Sequence, residues 1–280
     1  MSALSKTVFS GTTYGVMGMG TEGGATPYRI TVAANGGWGG SPIKQSGYSI
    51  GAMQFDFGQR GKSVDPKTGK SYSESFIDAV NDWAKETGNP LLSPTVAKDL
   101  STKGSTIKWL SDVDRATISA FGNTAGGQGW INNHLEKGLI DEYEAKITPV
   151  LNGLIFNGWN ESDILIATAV LTKAANQSPN AGFSALVSLI RKEHVDGYSL
   201  DDFLNDTKKV EASNSAYHFT KAAEIAEDYV ALRNSSEFGP IIESAERKIA
   251  DSGFTPAAIG SDGDLWFMRK INSDSKFRTD

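Results

Sequence analysis

The stretch GYSIGAMQFDFGQRG, residues 47–61, determines how the N-terminal part of the chain is interpreted. Apolar and polar residues alternate from Met53 to Phe57, which is typical of a short, half-buried strand. The four glycines of the stretch instead favour sharp bends and close approaches to the backbone. The amide of Gln54 and the carboxylate of Asp56 therefore stand beside bare backbone, an arrangement that suits a binding surface.

Composition limits the class of protein. The chain has 280 residues, enough for one large domain or two smaller ones, and its 39% hydrophobic and 21% charged residues are typical of a soluble globular protein. A net charge of -6 argues against a general nucleic-acid binder, although it is compatible with a local basic patch. The sequence has no cysteine, which rules out disulfides, cysteine-ligated metals and a thiol nucleophile.

The distribution of glycine divides the chain into a glycine-rich N-terminal part and a longer part with helical patterns. About half of the 30 glycines lie between Gly11 and Gly61, where YRITVA (28–33) predicts a strand and GGWGG (36–40) predicts a loop. From about Ser73 onward the apolar spacing is helical. Predicted helices include SESFIDAVNDWAKETG, SPTVAKDLSTKG, DVDRATISAF, ESDILIATAVLTKAANQ, AGFSALVSLIRKEH, SLDDFLND and SAYHFTKAAEIAEDYVALRN. The sequence thus predicts a mainly α (α+β) protein with a small glycine-rich β region near its start.

Most familiar catalytic and cofactor motifs are missing from the sequence. The three histidines, His134, His194 and His218, lack the spacing of helical metal sites, and we expect them to be surface or core residues. DPKTGK (65–70) and SDGDLW (261–266) do not fit a calcium loop and read as turns. The sequence has no nucleotide-binding or nucleophilic-serine motif. We therefore predict neither a cofactor nor a metal site.

Glu22 is the carboxylate best suited to chemistry. It stands in MGTEGGA, at the end of the apolar segment TVFSGTTYGVMGM. A carboxyl in such a place is partly desolvated, which raises its pKa and lets it act as a general acid near neutral pH. That proton is what the leaving oxygen of a glycosidic bond requires. The alternative is an ordinary glutamate at a helix end or turn.

Three segments in order resemble motifs of the lysozyme-like superfamily, especially goose-type lysozymes and soluble lytic transglycosylases. Glu22 in TEGG matches the catalytic glutamate, GAMQ (51–54) matches a Gly-Leu-Met-Gln segment, and AFGNTAGG (120–127) loosely matches Ala-Tyr-Asn-Ala-Gly. The third match departs from the family pattern at Phe121, Gly122 and Thr124. TEGG and the YRITV strand also resemble lambda-type phage endolysins, another branch of the superfamily. The resemblance covers about residues 12–130, under half of the chain.

The resemblance implies a lysozyme-like helical fold, with a catalytic lobe over residues 1–150. Residues 151–280 are then a second helical lobe of the same domain, because no linker separates them. Glu22 is implied as the general acid, and the amide of Gln54 as a hydrogen-bonding group for a sugar or its N-acetyl group. The remaining implied substrate-binding residues are Gly47 and Gly51 as the cleft floor, Tyr48 and Trp38 as stacking rings or core residues, and Asn123 as a residue that shapes the cleft.

Asp56 distinguishes two mechanisms. Goose-type lysozymes carry an aspartate at the matching position, and an inverting hydrolase needs a second carboxylate about 6.5–9.5 Å from the acid, with space for a water. A lytic transglycosylase instead uses one glutamate as acid and then base and produces a 1,6-anhydro sugar. The sequence slightly favours hydrolysis. A structural role for Asp56, capping the turn at FGQRG, is the alternative.

The resemblance implies a peptidoglycan hydrolase, a muramidase that binds glycan strands as a monomer, without nucleic acid or stable membrane insertion. The N-terminus does not resemble a signal peptide. We therefore expect a phage endolysin, made in the cytoplasm and reaching the bacterial wall in the periplasm through a holin-made lesion. The alternatives are an injected antibacterial effector, a wall-penetrating virion component, a chitosanase or chitinase, and a non-enzymatic wall-binding or structural virion protein.

Overall fold

The computed structural model describes residues 4–16, 27–43, 46–156, 158–192, 197–213 and 218–251. Within them the chain is mainly helical and has a small antiparallel sheet, which confirms the predicted class. The helices are α1 Lys6–Thr12, α2 Phe57–Arg60, α3 Tyr72–Thr87, α4 Val96–Leu100, α5 Asp112–Gly122, α6 Ala125–Ile131, α7 Lys137–Phe156, α8 Glu161–Gln177, α9 Gly182–Lys192, α10 Leu200–Ala212, α11 Phe219–Arg233 and α12 Gly239–Asp251. The strands are β1 Thr31–Val32, β2 Ala34–Asn35, β3 Ser41–Pro42, β4 Tyr48–Ile50 and β5 Phe55–Asp56. A 3-10 turn covers Gly104–Thr106, and a π-helical turn covers Asn132–Glu136.

The described residues divide into two compact units. Residues 27–139 form the first, here called the sheet unit, and residues 4–16 with 140–251 form the second, the helical unit. The lobes predicted from the sequence, residues 1–150 and 151–280, place the boundary later, and this division also groups residues 4–16 with the C-terminal helices. Helix α1 belongs to the helical unit because it packs against α12 and α8.

The sheet unit is built around short antiparallel strands. β4 is central and pairs with both β1 and β5, with Ser49 opposite Thr31 on one side and Asp56 on the other. β2 and β3 form a separate hairpin whose loop contains GGWGG, as predicted. The strand predicted over residues 28–33 is confirmed only at Thr31–Val32. Residues 51–54 form the turn between β4 and β5.

Aromatic residues and well-capped helices stabilise the sheet unit. Phe57 and Phe76 are fully buried, with ring centroids 5.1 Å apart. Helix α3 begins at a capping box, in which Ser71 and Glu74 satisfy each other's backbone amides, and ends at Gly88 with φ 71°. Gly88 is the residue from which the sequence predicted the end of this helix.

The helical unit surrounds α8. Every residue of α8 from Ile164 to Ala175 is buried, which identifies it as the central helix of the unit, and α11, α9 and α1 pack against it. The predicted helix ESDILIATAVLTKAANQ matches α8 residue for residue. None of the helices among the described residues has both the length and the apolar character needed to cross a membrane.

A buried polar cluster joins three helices of this unit. The Glu246 carboxylate on α12 accepts hydrogen bonds from the Tyr229 hydroxyl at 2.7 Å and from the Arg233 Nε at 3.0 Å, both on α11. Arg233 also forms an ion pair with Glu161 of α8 at 3.1 Å. Gly11 of α1 lies against this glutamate, and a Cβ there would stand 2.4 Å from its Cγ. The hydrogen bonds and the ion pair of this cluster therefore join α8, α11 and α12, and α1 packs closely against Glu246.

Candidate functional site

The residue predicted to be the general acid, Glu22, lies outside the described residues. The first described residue after it is Pro27, whose carbonyl accepts a hydrogen bond from the Gly51 amide at 2.7 Å. The part of the candidate site that the structure describes is therefore the GAMQ turn, residues 51–54, with the side chains around it.

The GAMQ turn has an unusual backbone. Gly51 has φ 94°, and Gln54 has φ 52° although it is not a glycine. A side chain other than glycine, asparagine or aspartate rarely adopts positive φ, and such positions cost free energy that the surrounding structure must offset. The turn is closed by a hydrogen bond from the backbone N–H of Gln54 to the Gly51 carbonyl at 3.1 Å.

The side chain of Gln54 is fixed at both ends of its amide. Its Nε2 donates to the Gly51 carbonyl at 2.8 Å, and its Oε1 accepts from the Thr31 hydroxyl at 2.8 Å. An amide has two N–H groups and two lone pairs, so one donor and one acceptor stay available. Gln54 is half-buried. The predicted substrate-binding amide is thus held in one orientation with hydrogen-bonding capacity left over.

A buried glutamate supports this turn from within. Glu136, at the end of the π-helical turn, is fully buried, and its Oε1 accepts a hydrogen bond from the Met53 amide at 2.6 Å. Its Oε2 is buried without a hydrogen-bond partner in the described structure. The same Oε1 would lie 2.2 Å from a Cβ at Gly51. The carboxyl of Glu136 therefore occupies the space that a side chain at position 51 would need.

Burial gives this carboxyl an unusual protonation state. Removal from water raises the pKa of Glu136 to about 8, against the opposing effect of the Met53 hydrogen bond. The group is therefore largely neutral at pH 7 and carries a proton. Because Glu136 has no exposed surface, it contacts no substrate in this conformation, and it acts by holding the backbone of the turn.

Asn132 extends the polar cluster beneath the turn. Its Oδ1 accepts from the Tyr28 hydroxyl at 3.0 Å, and its Nδ2 is buried without a partner among the described residues. Asn132 and Glu136 begin and end the π-helical turn, a rare conformation that occurs often at functional sites. Two unsatisfied polar atoms thus lie on one helical turn, although most buried polar groups in proteins are satisfied.

Asp56 adopts the structural role that the sequence left as an alternative. Its side chain caps α2 by accepting from the Gln59 amide at 3.1 Å, and it also accepts from the Gly47 amide at 3.2 Å. Burial raises the pKa of Asp56, while the hydrogen bonds from the Gln59, Gly47 and Gly58 amides act in the opposite direction. Both carboxylate oxygens are engaged by backbone amides, so in this structure Asp56 joins β4 to the start of α2.

The two glycines predicted as a cleft floor are both buried. A Cβ at Gly47 would lie 2.6 Å from the Thr102 carbonyl oxygen and 2.7 Å from the Gly58 Cα. A Cβ at Gly51 would meet Glu136, as described above. Both residues are therefore glycines for internal packing, and the structure does not present their backbone to a ligand.

The two predicted stacking rings differ in exposure. Tyr48 has no exposed surface, and its hydroxyl donates to the Lys108 carbonyl at 2.9 Å and accepts from the Leu110 amide at 3.0 Å. It is the core residue that the sequence allowed as an alternative. Trp38 is half-exposed and packs on Tyr48 with ring centroids 5.4 Å apart. A second aromatic neighbour of Trp38 is Trp109, which is 38% exposed, with ring centroids 6.0 Å apart; Trp109 was not predicted as a site residue.

Asn123, the last of the predicted residues, lies exposed at the end of α5. It lines a pocket of about 480 Å³ in the sheet unit. The pocket is formed by Arg29, Asp112, Arg115, Ala116, Ser119 and Asn123. The predicted role of Asn123, which was to shape the cleft near Glu22, stays a prediction because Glu22 lies outside the described residues.

The sheet unit also contains a hydrogen-bonded pair of titratable side chains, Asp65 and His134. Asp65 is buried and accepts from the His134 Nδ1 at 3.0 Å, and the His134 ring stacks on Trp130 with centroids 4.2 Å apart. Burial acts to raise the pKa of Asp65, but the hydrogen bonds from His134, the Lys67 amide and Thr68 lower it overall. Residues 65–70 form the turn predicted from DPKTGK, and the Asp65 carboxylate also accepts from the Lys67 amide of this turn at 2.9 Å.

No protein-family model, curated protein or solved structure matches the chain. The described residues also contain no group of three or more histidine or acidic side chains placed to hold a metal ion. The interpretation of the site therefore depends on the residues themselves.

Sequence reasoning missed Glu136, which is the most perturbed carboxyl of the sheet unit. It stands in INNHLEKGLI, where it reads as one charged residue on an amphipathic helix. The only local signal was Gly51 in GAMQ, since a glycine there predicts that something approaches the backbone closely. The identity of that group, 85 positions later, could come only from the fold.

Proposed function

We propose that this protein cleaves the glycan strands of peptidoglycan, with a lysozyme-like fold and with Glu22 as the general acid. The observation that carries the proposal is the side-chain amide of Gln54, which the Thr31 hydroxyl and the Gly51 carbonyl hold in a positive-φ turn. The buried Glu136 supports that turn through the Met53 amide. Strained and over-determined backbone of this kind is concentrated at functional sites. The turn is formed by GAMQ, the segment in which the resemblance to lytic transglycosylases and goose-type lysozymes is strongest.

In this mechanism the amide of Gln54 positions the amino sugar, using its remaining N–H and its remaining lone pair. A positioned sugar reacts faster because the geometry is fixed before the bond breaks. Glu22 protonates the leaving oxygen as the bond to the anomeric carbon breaks, which gives an oxocarbenium-like transition state. Positioning by Gln54 and proton donation by Glu22 are separate contributions, so they can be removed separately.

The surroundings of Asp56 favour a second candidate, lytic transglycosylase activity. A carboxylate that activates water needs a free oxygen facing that water, whereas the Asp56 oxygens accept from the Gly47 and Gln59 amides. A transglycosylase needs only Glu22, which takes back a proton from the substrate's own hydroxyl as the 1,6-anhydro ring closes. Hydrolysis with Asp56 as the second carboxylate is the alternative outcome.

The test is digestion of purified peptidoglycan by wild-type protein, Glu22→Gln, Gln54→Ala and the exposed control Glu86→Gln. We expect no cleavage by Glu22→Gln, slower cleavage by Gln54→Ala, and wild-type rates for Glu86→Gln, with circular dichroism confirming the fold of each. Mass spectrometry of the new sugar ends distinguishes anhydro from reducing products. Undiminished cleavage by Glu22→Gln would overturn the proposal, and activity on chitosan alone would assign a chitosanase.

A further inference from the structure

One face of α5 forms a groove in the sheet unit. Counted from Asp112, the lining residues Arg115, Ala116, Ser119 and Asn123 stand at i+3, i+4, i+7 and i+11, so they lie along one side of the helix and its C-cap. Arg29 closes the pocket from the chain segment before β1, and the volume is about 480 Å³. That volume is within the range of small-ligand sites.

The groove carries a positive charge although the protein is acidic overall. Two arginines and one aspartate line it, against a net charge of -6 for the chain. Arg29 is exposed and has no ion-pair partner within the described residues. Arg115 donates one Nη2 bond to Asp112 at 2.6 Å, which leaves other N–H groups of its guanidinium available. The groove therefore offers unused donors for an anion.

An aromatic surface adjoins these donors. The Arg115 guanidinium lies over the Trp38 ring, 4.5 Å from its centroid, and Trp109 packs beside Trp38 with 38% of its surface exposed. A tryptophan face offers an apolar surface of about the size of a sugar ring, and the arginine forks match a carboxylate. The two features together suit a ligand that is both a saccharide and an acid.

We infer that the groove of Arg29, Arg115 and α5, with Trp38 and Trp109, is a subsite for a carboxylate-bearing amino sugar. This inference rests on the proposed function, because it names the part of the peptidoglycan polymer that the groove recognises. The carboxylate is either the lactyl group of N-acetylmuramic acid or an acidic residue of the peptide attached to it. Arg29 binds it through the N–H groups of its guanidinium, and Arg115 binds it through N–H groups that Asp112 leaves available while its guanidinium lies over the Trp38 ring.

The test is a titration of the 15N-labelled full chain with three soluble sugars, none of which has a glycan bond to cleave. N-acetylglucosamine has no carboxylate, N-acetylmuramic acid adds the lactyl carboxylate, and N-acetylmuramyl-L-alanyl-D-glutamate moves the charge to the peptide. We expect at least one acidic sugar to bind about tenfold more tightly than N-acetylglucosamine, the ratio expected for a charge-assisted hydrogen bond. The shifts should include the indole signals of Trp38 and Trp109.

Variants assign the preference to the groove. Arg29→Ala and Arg115→Gln should each reduce it, and Arg115→Lys should retain part of it, because lysine keeps the charge and loses the fork. Lys98→Ala, an exposed cation on α4, should bind like wild type. Equal affinities for all three sugars, or arginine variants that keep the full preference, would overturn the inference. Preferential binding by a protein that cleaves no glycan would refute the proposed function alone.

Discussion

Replacement of Glu136 by glutamine should stabilise the protein at pH 8 and change its stability little at pH 5. Glutamine keeps an oxygen for the Met53 amide and places an NH2 group where the protonated carboxyl has its O–H. It therefore resembles the neutral form that burial imposes on Glu136, whose pKa is raised to about 8. Unlike the carboxyl, it cannot ionise when the protein unfolds.

The sign follows from proton linkage. Between pH 4.5 and pH 8 the unfolded chain releases the proton of Glu136 while the folded protein keeps it, so the folded state binds more protons and loses stability as the pH rises. At 1.36 kcal/mol for each pH unit, this costs the wild type about 4 kcal/mol at pH 8 and less than about 1 kcal/mol at pH 5. The glutamine variant avoids this cost.

Urea unfolding of wild type and Glu136→Gln at pH 5, 6.5 and 8 measures the effect. The difference in unfolding free energy should grow by about 3.5 kcal/mol from pH 5 to pH 8. Contributions from Asp56, Asp65 and Glu246 are common to both proteins and cancel in the difference. Glu86→Gln, at an exposed site of α3, should follow wild type throughout. A difference that is the same at all three pH values would refute a buried, protonated Glu136.

Substitutions at Gly51, Asp56 and Glu246 test the packing within each of the two units by urea unfolding. Gly51→Ala should lower the free energy of unfolding by about 2–4 kcal/mol, because alanine is strained at positive φ and its Cβ collides with Glu136. The control Gly36→Ala, with φ 82° and open space around its Cβ position, should lower it by about 1–2 kcal/mol. Equal losses would exclude the collision. Asp56→Asn retains a capping oxygen and should stay within about 1 kcal/mol of wild type, while Asp56→Ala should lose about 2 kcal/mol. A large loss of glycan cleavage in a stably folded Asp56→Asn would instead make this residue the second carboxylate. Glu246→Ala should cost about 3–5 kcal/mol, because it leaves the mostly buried guanidinium of Arg233 without its main partner and the buried Tyr229 hydroxyl without its acceptor. A cost below about 1 kcal/mol would contradict this.

Helices with local start and stop signals could be predicted from the sequence. Helix α3 has its capping box at Ser71 and its terminal glycine at Gly88, and α8 has a long apolar stretch that begins after Asn160, its N-cap. These signals lie within or next to the helix that they define. Propensity and capping act locally, so a single sequence was enough.

Helix α7 was not predicted because its sequence contains helix-breaking residues. Gly138 and Gly153 each lower helix propensity, and Pro149 removes a backbone donor in the helix interior. Buried positions such as Ile147, Leu151 and Leu154 outweigh these local costs. Tertiary packing therefore decided this element, and the boundary predicted at Val150 fell inside it for the same reason.

The features of the candidate site also fall into two groups, those that neighbouring residues indicate and those that depend on the tertiary fold. Gln54 was selected from a motif of neighbouring residues, and its binding of a sugar stays a prediction, whereas its fixed amide and positive φ are seen only in the structure. The contact between Gly51 and Glu136, and the groove between Arg29 and α5, join segments far apart in the sequence. No periodicity or spacing within one segment indicates such contacts.

The close packing of the glycines in residues 47–61 limits which groups can form a binding surface here. Gly47 and Gly58 pack against each other's backbone, Gly51 packs against Glu136, and Gly61 lies so close to α3 that a Cβ would stand 2.3 Å from the Ser73 Oγ. All four therefore face atoms of the protein itself, and no bare backbone is left to form the floor of a cleft. Under the proposed function, a glycan would instead be held by side chains, namely the Gln54 amide and the tryptophans and arginines of the groove. Trp109 is the most exposed of these rings, so Trp109→Ala should weaken sugar binding with little loss of stability. Alanine at any of the four glycines should instead lower the free energy of unfolding, because its Cβ would collide with protein atoms.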